Sequence, residues 1–402
     1  MKRVIVIFFL TASFIQSIAQ DPSDPNNLGQ YTSGDNLNTI TTAVPFLLIS
    51  PDSRSGAMGD VGVATSPDAN SMHWNPAKLS FTENDLGVSV SVVPWLRELV
   101  SDINLQYIGG YAKLNDNDAI GYELRYFTLG DIIFTGDNGE TIGQYKPHEM
   151  AFGTAYSRKL SRNFSIAISG RYIYSNLTGG VMLQSGLETV AGQSIAADIS
   201  SYTFIPIKIL KKESILSLGM NISNIGSKMS YTETTVRDFI PINLRFGTDI
   251  STKLDDYNKI SFAIDLNKLL VPSPPAYDVN DIDEDLDFNE IIAGKDPDVA
   301  VVSGIFQSFG DAPGGFKEEI REINISTGME YWYDNQFAIR AGYFYEHWTK
   351  GGREYLTFGS GVKYNVFALD FSYLVSTSNI GGTNPLSNTM RFTLVFDLGS
   401  IQ

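Results

Sequence analysis

Nucleophilic and metal chemistry have few residues to draw on in this chain. No cysteine is present, which removes disulfides, thiolate metal sites and cysteine nucleophiles together. The only histidines are His73, His148 and His347, widely separated in sequence. No Ser-His-Asp spacing stands out, Gly-x-Ser-x-Gly is absent, and Gly359-Ser360-Gly361 falls inside a strand pattern. An outer-membrane lipase or lipid A deacylase would have to gather its serine and histidine from separate strands. His347, expected at an outer strand end, is the histidine such an enzyme would use. Carboxylates crowd at Asp278, Asp281, Asp283, Glu284, Asp285, Asp287 and Glu290, after Pro272-Ser273-Pro274-Pro275. Such oxygens suit calcium, but the EF-hand spacing and its glycine are missing, so a solvated acidic loop is the reading. No catalytic residue, metal site or cofactor is therefore assigned.

The elements that carry these residues are built for a different task. The chain has 402 residues, a formal net charge of -16 and only 18% charged residues, below the usual share of soluble domains. That acidity excludes nucleic acid as a partner, because a phosphate backbone demands a basic footprint. Met1-Lys2-Arg3, the apolar run Val4 to Leu10 and the small residues at Ser17 and Ala19 read as a signal peptide, 1–19, cleaved before Gln20. No later segment has 18 consecutive apolar residues, so membrane-spanning helices are not expected.

From about residue 85, apolar residues alternate with small or polar ones in stretches near the length of a tilted membrane strand. Phe337, Ile339, Ala341, Tyr343 and Tyr345 oppose Ala338, Arg340, Gly342 and Glu346; Met390, Phe392, Leu394 and Phe396 oppose Arg391, Thr393 and Asp397. A soluble sandwich would put Lys and Glu on its outward face, whereas small residues and single charges suit a confined lumen. Fourteen such segments are predicted, at 85–93, 102–113, 118–128, 148–158, 163–175, 194–206, 213–223, 241–252, 257–267, 322–332, 336–346, 354–364, 366–376 and 388–397. The sixth has the most ragged alternation. Long connections follow odd-numbered strands and tight turns follow even ones, the asymmetry of a membrane barrel with both termini on the periplasmic side.

Glu123, Arg125, Arg171, Arg245, Asp249, Asp265, Glu330, Arg340, Asp370 and Arg391 should point into the lumen and rigidify its wall. Tyrosines and tryptophans toward strand ends, among them Tyr107, Tyr111, Tyr126, Tyr156, Tyr172 and Trp332, read as an aromatic girdle. The expected fold is all-β: a fourteen-stranded antiparallel transmembrane barrel over 85–402, with a long extracellular loop at 268–321 and an N-terminal tail and hatch at 20–84. In that loop Val299, Val301, Val302, Ile305, Phe306, Phe309, Phe316 and Ile320 are apolar positions suited to contact with a partner.

Two stretches before the first strand are distinctive. Ser53-Arg54-Ser55-Gly56-Ala57-Met58-Gly59-Asp60-Val61-Gly62-Val63-Ala64 is rich in glycine and small residues, as a segment passing close to other backbone must be. Asp68-Ala69 and then Asn75-Pro76-Ala77 follow, with Pro76 and the Asn75 side chain predicting a sharp turn into the barrel. Together they resemble the hatch motif of the FadL-type outer-membrane transporter superfamily and, within it, the PorV/PorQ family of type IX secretion.

That resemblance implies a FadL-like barrel that does no chemistry. It would bind the C-terminal signal domains of secreted cargo proteins as they leave a large outer-membrane translocon pore. It would then pass them to a cell-surface sortase-like protease that attaches cargo to anionic lipopolysaccharide. Outer-membrane lipid surrounds it, and Asp68, Asn75, Pro76 and Ala77 are structural hatch positions. The alternative implied by the wider superfamily is a transporter of hydrophobic small molecules.

Overall fold

The computed structural model describes residues 37–96, 102–135, 141–177, 179, 189–232, 237–277, 291–377, 386 and 388–399. The predicted signal peptide at 1–19, the tail up to residue 36 and the acidic stretch at 278–290 lie outside the described residues. Among the described residues eighteen strands are formed: β1 Leu86–Pro94, β2 Ile103–Lys113, β3 Asp118–Leu129, β4 Ile132–Thr135, β5 Thr141–Tyr145, β6 His148–Lys159, β7 Phe164–Asn176, β8 Gly192–Ile209, β9 Lys212–Gly226, β10 Asn243–Lys253, β11 Asn258–Leu269, β12 Ala276–Tyr277, β13 Ile291–Ala293, β14 Asn324–Tyr333, β15 Phe337–Tyr345, β16 Glu354–Tyr364, β17 Phe367–Ser376 and β18 Met390–Leu398. Fourteen of them close into one antiparallel barrel, sealed where β1 pairs with β18. The pairs β4–β5 and β12–β13 are small separate sheets within long connections.

Period-two alternation decides which side each residue takes. Val90, Val92, Phe152, Tyr156, Phe246, Ile250, Phe337, Ile339, Phe392 and Leu394 are exposed on the outer face, while Ser89, Ser91, Arg340, Thr357, Arg391 and Thr393 are buried inside. An outer belt of bare Phe, Ile, Val and Leu this continuous is unfavourable in water and suited to acyl chains. No described helix is long and apolar enough to cross a membrane; the crossings are strands.

All ten charges assigned to the lumen are buried there. The strand positions agree with the sequence pattern to within a few residues, with one instructive departure. The sixth barrel strand, β8, runs on to Ile209 instead of ending near 206, and β9 stays paired with it to the turn. β7 follows β8 only to Thr203, so this hairpin projects past its neighbour. Pro206 and Lys208 sit on the resulting free edge, where a missing donor and a charge discourage further pairing. A second correction concerns the girdle. Tyr107 and Tyr111 are fully buried in the lumen, not at the lipid face, and Trp332 lies under the Arg340 guanidinium, 5.4 Å from its ring.

All connections that follow β1, β3, β7, β9, β11, β15 and β17 lie at one end, the loop end; the tight turns lie at the other. The described chain starts at the loop end, where the Asn38 N–H donates to the Thr349 carbonyl at 2.8 Å. It then descends through the lumen and enters β1 at the turn end, beside the close of β18. Its two described ends therefore lie at opposite ends of the barrel, and the termini themselves fall outside the described residues.

Candidate functional site

The lumen is filled by the chain's own residues 43–82. Near the loop end Val44, Phe46, Leu47 and Ile49 form one apolar core with Leu105, Phe127, Ile173, Ile240, Ile242 and Leu270 of the surrounding wall and connections. Below it the contacts become polar and specific. Ser53 N–H donates to the Thr393 hydroxyl (2.8 Å) and Gly59 N–H to that of Thr357 (2.8 Å). Asp265 accepts from the N–H groups of Gly62 and Val63 at 2.7 and 3.0 Å. These four bonds join hatch backbone, which has no ladder of its own, to three different strands, so buried donors are satisfied by the wall.

Charges complete the join. Arg54 in the short helix α1 (Ser53–Gly56) bridges Asp68 (2.8 Å) and Glu330 (2.9 Å), and Glu330 also receives Arg340, which reaches Asp370. On the opposite wall Glu123 takes Arg125 and Arg171, Arg171 grips Asp198 and contacts Asn224, and Arg125 donates to the Leu47 carbonyl. Removing one member of such a buried set strands another charge, typically at about 3–5 kcal/mol.

Asn75, Pro76 and Ala77 lie where the hatch meets β8. The Asn75 amide donates to the carbonyls of Val63 and Ser201, both at 2.9 Å, while its oxygen accepts from Ala77 N–H. The Ala77 carbonyl accepts from the hydroxyls of Ser157 and Ser165. Pro76 opens the 3-10 turn Pro76–Phe81, and Asp68 caps the preceding short helix α2 (Ser71–Trp74) through Ser71 and Asn70. His73 packs edge-on against Trp74 at 4.5 Å, and the Trp74 indole donates to Asp52. His73 and His347 share no site: the one is buried in the lumen, the other is at the loop end beside Trp348. Among the described residues no group of metal-ligating side chains gathers.

The second site lies at the loop end, in helices α3 (Val301–Gln307) and α4 (Phe316–Arg321), which the strand pattern did not foresee. Of the eight apolar positions singled out there, Val299, Val301 and Ile305 pack down on the loop-end core instead of facing outward. The other five, Val302, Phe306, Phe309, Phe316 and Ile320, are between 52% and 80% exposed. In α3 the pairs 301/305 and 302/306 are neighbouring stripes about 100° apart on one short helix, so its apolar surface continues from the inward-packed face round to the exposed side. A helix apolar over so wide an arc is ordinarily covered over most of it.

α4 is inverted. Its acids Glu318 and Glu319, with Glu322 at its C-cap, are buried, and Phe316 and Ile320, one turn apart, are bare. The inward face is held by Lys268, bridging Glu319 (3.1 Å) and Glu322 (2.5 Å), and by Lys350, bridging Glu318 (2.6 Å) and Glu322 (3.0 Å). Ser273 donates to Glu322, and Glu319 accepts the N–H groups of Asp311 and Ala312. Asn38 also donates to Glu318, tying the hatch to this helix.

Burial pushes the Asp311 carboxyl up to about 6, partly offset by the Ser273 N–H it accepts, whereas Lys350 and neighbouring hydrogen bonds outweigh burial and hold Glu318 below its ordinary value. The signs oppose. A raised carboxyl favours the folded loop when protonated, and that contribution disappears as pH rises through about 6; the Glu318 contribution is lost only as pH falls below the ordinary glutamate range. Proteolysis of this connection should therefore accelerate between pH 5 and pH 7, a trend that Asp311→Asn flattens while retaining the Ser273 bond. An unchanged slope in the variant would assign the trend elsewhere.

A family model described as Type IX secretion system protein PorV matches residues 32–276, which takes in the hatch and the first nine strands of the barrel wall. The chain belongs to the PorV family. The matched span contains the Ser53–Ala64 and Asn75-Pro76-Ala77 stretches. Among solved structures, the chain is similar to the toluene transporter TbuX of Ralstonia pickettii, at 11% identity and a TM-score of 0.48, covering 90% of this chain and 98% of that one. The P. putida toluene transporter TodX gives 11%, 0.47, 88% and 99%, and a FadL homologue of Pseudomonas aeruginosa 10%, 0.43, 90% and 99%. No curated protein matches the chain.

Proposed function

We propose that this PorV-family barrel is the outer-membrane docking partner of type IX secretion, with its tight turns in the periplasm and its loop end at the cell surface. Its loop end binds the C-terminal signal domains of exported proteins at the translocon pore and delivers them to the sortase-like attachment protease. The observation that carries this reading is the bare apolar surface of α3 and α4, held outward by an inverted helix whose acids are fixed from below. A large apolar patch of this kind on a fixed scaffold is the usual form of a protein-binding site. Asn75, Pro76 and Ala77 serve as hatch anchors in this reading, and no residue acts as a catalyst. The transporter alternative draws less support, because a solute path through the barrel would have to break the bonds between hatch and wall.

Affinity capture from the native membrane tests it. Phe306→Asp/Phe316→Asp/Ile320→Asp should lower recovery of signal-bearing cargo or translocon tenfold or more, with barrel folding unchanged on heat-modifiability gels. Recovery equal to the parent, or capture of lipid without any secretion component, would overturn it.

A further inference from the structure

The turn end carries an uneven distribution of charge that neither the hatch nor the loop-end surface uses. Three adjacent turns, joining β6–β7, β8–β9 and β10–β11, hold eight Lys or Arg against three acids over residues 158–163, 208–213 and 253–259. The rest of that rim is acidic, with Glu83, Asp85, Asp116, Asp118, Asp334 and Asp397 against Lys113 and Lys363. In a chain of net charge -16 this basic sector is a local reversal, not the average surface. Among the described residues, Arg162, Lys208, Lys211, Lys212, Lys253 and Lys259 have no carboxylate within ion-pair distance, and Asp255 is occupied by Asn258 and two backbone N–H groups.

Exposed leucines accompany these cations. Leu160 and Leu254, and Leu114 in the adjoining β2–β3 turn, occupy equivalent places: each N–H donates to the carbonyl four residues on, at 2.8–2.9 Å. Each keeps the outward parity of its strand, the side of Ile108, Phe152 and Phe246, so the acyl-facing belt continues into the turns. Leu210 stands at the tip of the projecting β8–β9 hairpin, 92% exposed, and both it and Lys211 adopt left-handed backbone, φ 48° and 68°. Such a turn prefers Asn-Gly; a leucine and a lysine there carry conformational strain that fold economy does not explain.

We infer that this sector is a binding surface for anionic phospholipid headgroups of the leaflet at the turn end. Outward leucines enter the acyl boundary while lysines and arginines one or two residues away reach the phosphates, the composition of an interfacial anchor. Continuity with the lipid-facing belt favours a membrane over a water-borne acidic protein, which would not need outward leucines. The inference rests on the reading of the barrel as a membrane protein but not on cargo binding, since the two surfaces lie at opposite ends.

The test uses the full-length barrel in nanodiscs of phosphatidylcholine with and without phosphatidylglycerol, followed by native mass spectrometry of retained lipid. The parent should retain phosphatidylglycerol preferentially, less so as salt is raised. At about fivefold per cation near the surface, Lys208→Gln/Lys211→Gln/Lys212→Gln should lose tenfold or more of that preference. Arg162→Gln, which leaves the strained hairpin untouched, should lose about fivefold, and Lys113→Gln/Lys363→Gln should not. Equal retention of both lipids by the parent, or sector variants that match it, would overturn the proposal. So would sector variants that keep the lipid preference but lose an acidic periplasmic protein from pull-downs. Loss of cargo capture with lipid preference intact would count against the docking function alone.

Discussion

Gly342→Leu is expected to leave the barrel closed and its hatch unseated. Gly342 faces the lumen on β15, opposite Gly328 on β14. A Cβ added there would lie 2.0 Å from the Met58 carbonyl carbon and 2.1 Å from the Gly59 nitrogen, both backbone atoms. The hatch has no room to retreat, since Gly59 is left-handed at φ +68° and its own absent Cβ faces Tyr343 and Thr327 backbone at 2.5–2.7 Å. Accommodating an isobutyl group means lifting the Ser53–Val63 stretch and forfeiting its bonds to Thr393, Thr357 and Asp265, each worth about 1 kcal/mol or more when buried. The Arg54–Glu330 bridge would be lost with them. In planar bilayers the variant should conduct ions where the parent does not, and protease should cut within 43–82 while the barrel still runs as a folded, heat-modifiable species. Gly170→Leu, with nothing within 4 Å of its Cβ position, is the matched control. Conductance and cleavage like the parent's would show that the hatch is not seated against β15 in the membrane.

Glu322→Ala should dismantle the loop-end surface without touching it. Glu322 is the shared acceptor of Lys268, Lys350 and Ser273. Its loss leaves two buried ammonium groups with one carboxylate each, at a cost of about 3–5 kcal/mol by analogy with other broken buried pairs. α4 has only six residues and cannot hold itself together by backbone bonding, so its fixation comes from these bridges. The expected result is rapid proteolysis across residues 311–323, and loss of cargo or translocon capture comparable to that of the charged patch variants although every exposed apolar residue is intact. Wild-type proteolysis would place the support of α4 elsewhere, and intact capture despite cleavage would separate binding from this helix.

The barrel was legible because lipid and lumen impose one rule on every strand. Phe392 and Arg391 are neighbours in sequence and opposites in environment, and a period-two pattern reports that directly. Lumen charges such as Arg340 and Asp370 were legible for the same reason. Residue type alone misled where it was weighed ahead of strand parity. Tyr111 has the lumen-side parity of Leu105 and Tyr107, and the missing Cβ of Gly87, which would stand 2.3 Å from its ring, leaves it the room to lie there, so a tyrosine that composition assigns to the girdle sits inside. The two loop-end helices escaped notice because they are short and because α4 reverses the usual amphipathic order: an acidic stripe reads as solvated, and here Lys268 and Lys350 bury it. No local signal in 316–322 announces those lysines, which come from positions far away in sequence.

The path of the hatch has a mechanical meaning. Its lower end is covalently continuous with β1, while its upper end emerges beside Thr349 and α4. Tension drawn from the loop end would therefore load its fastenings one after another: the Asn38 bonds first, then the core around Phe46, then Ser53, Gly59 and Gly62, and last Asn75. Fastenings loaded in sequence part at far lower force than the same set loaded together, so the plug resists diffuse thermal agitation yet yields to a directed tug, like a zip opened from its free end.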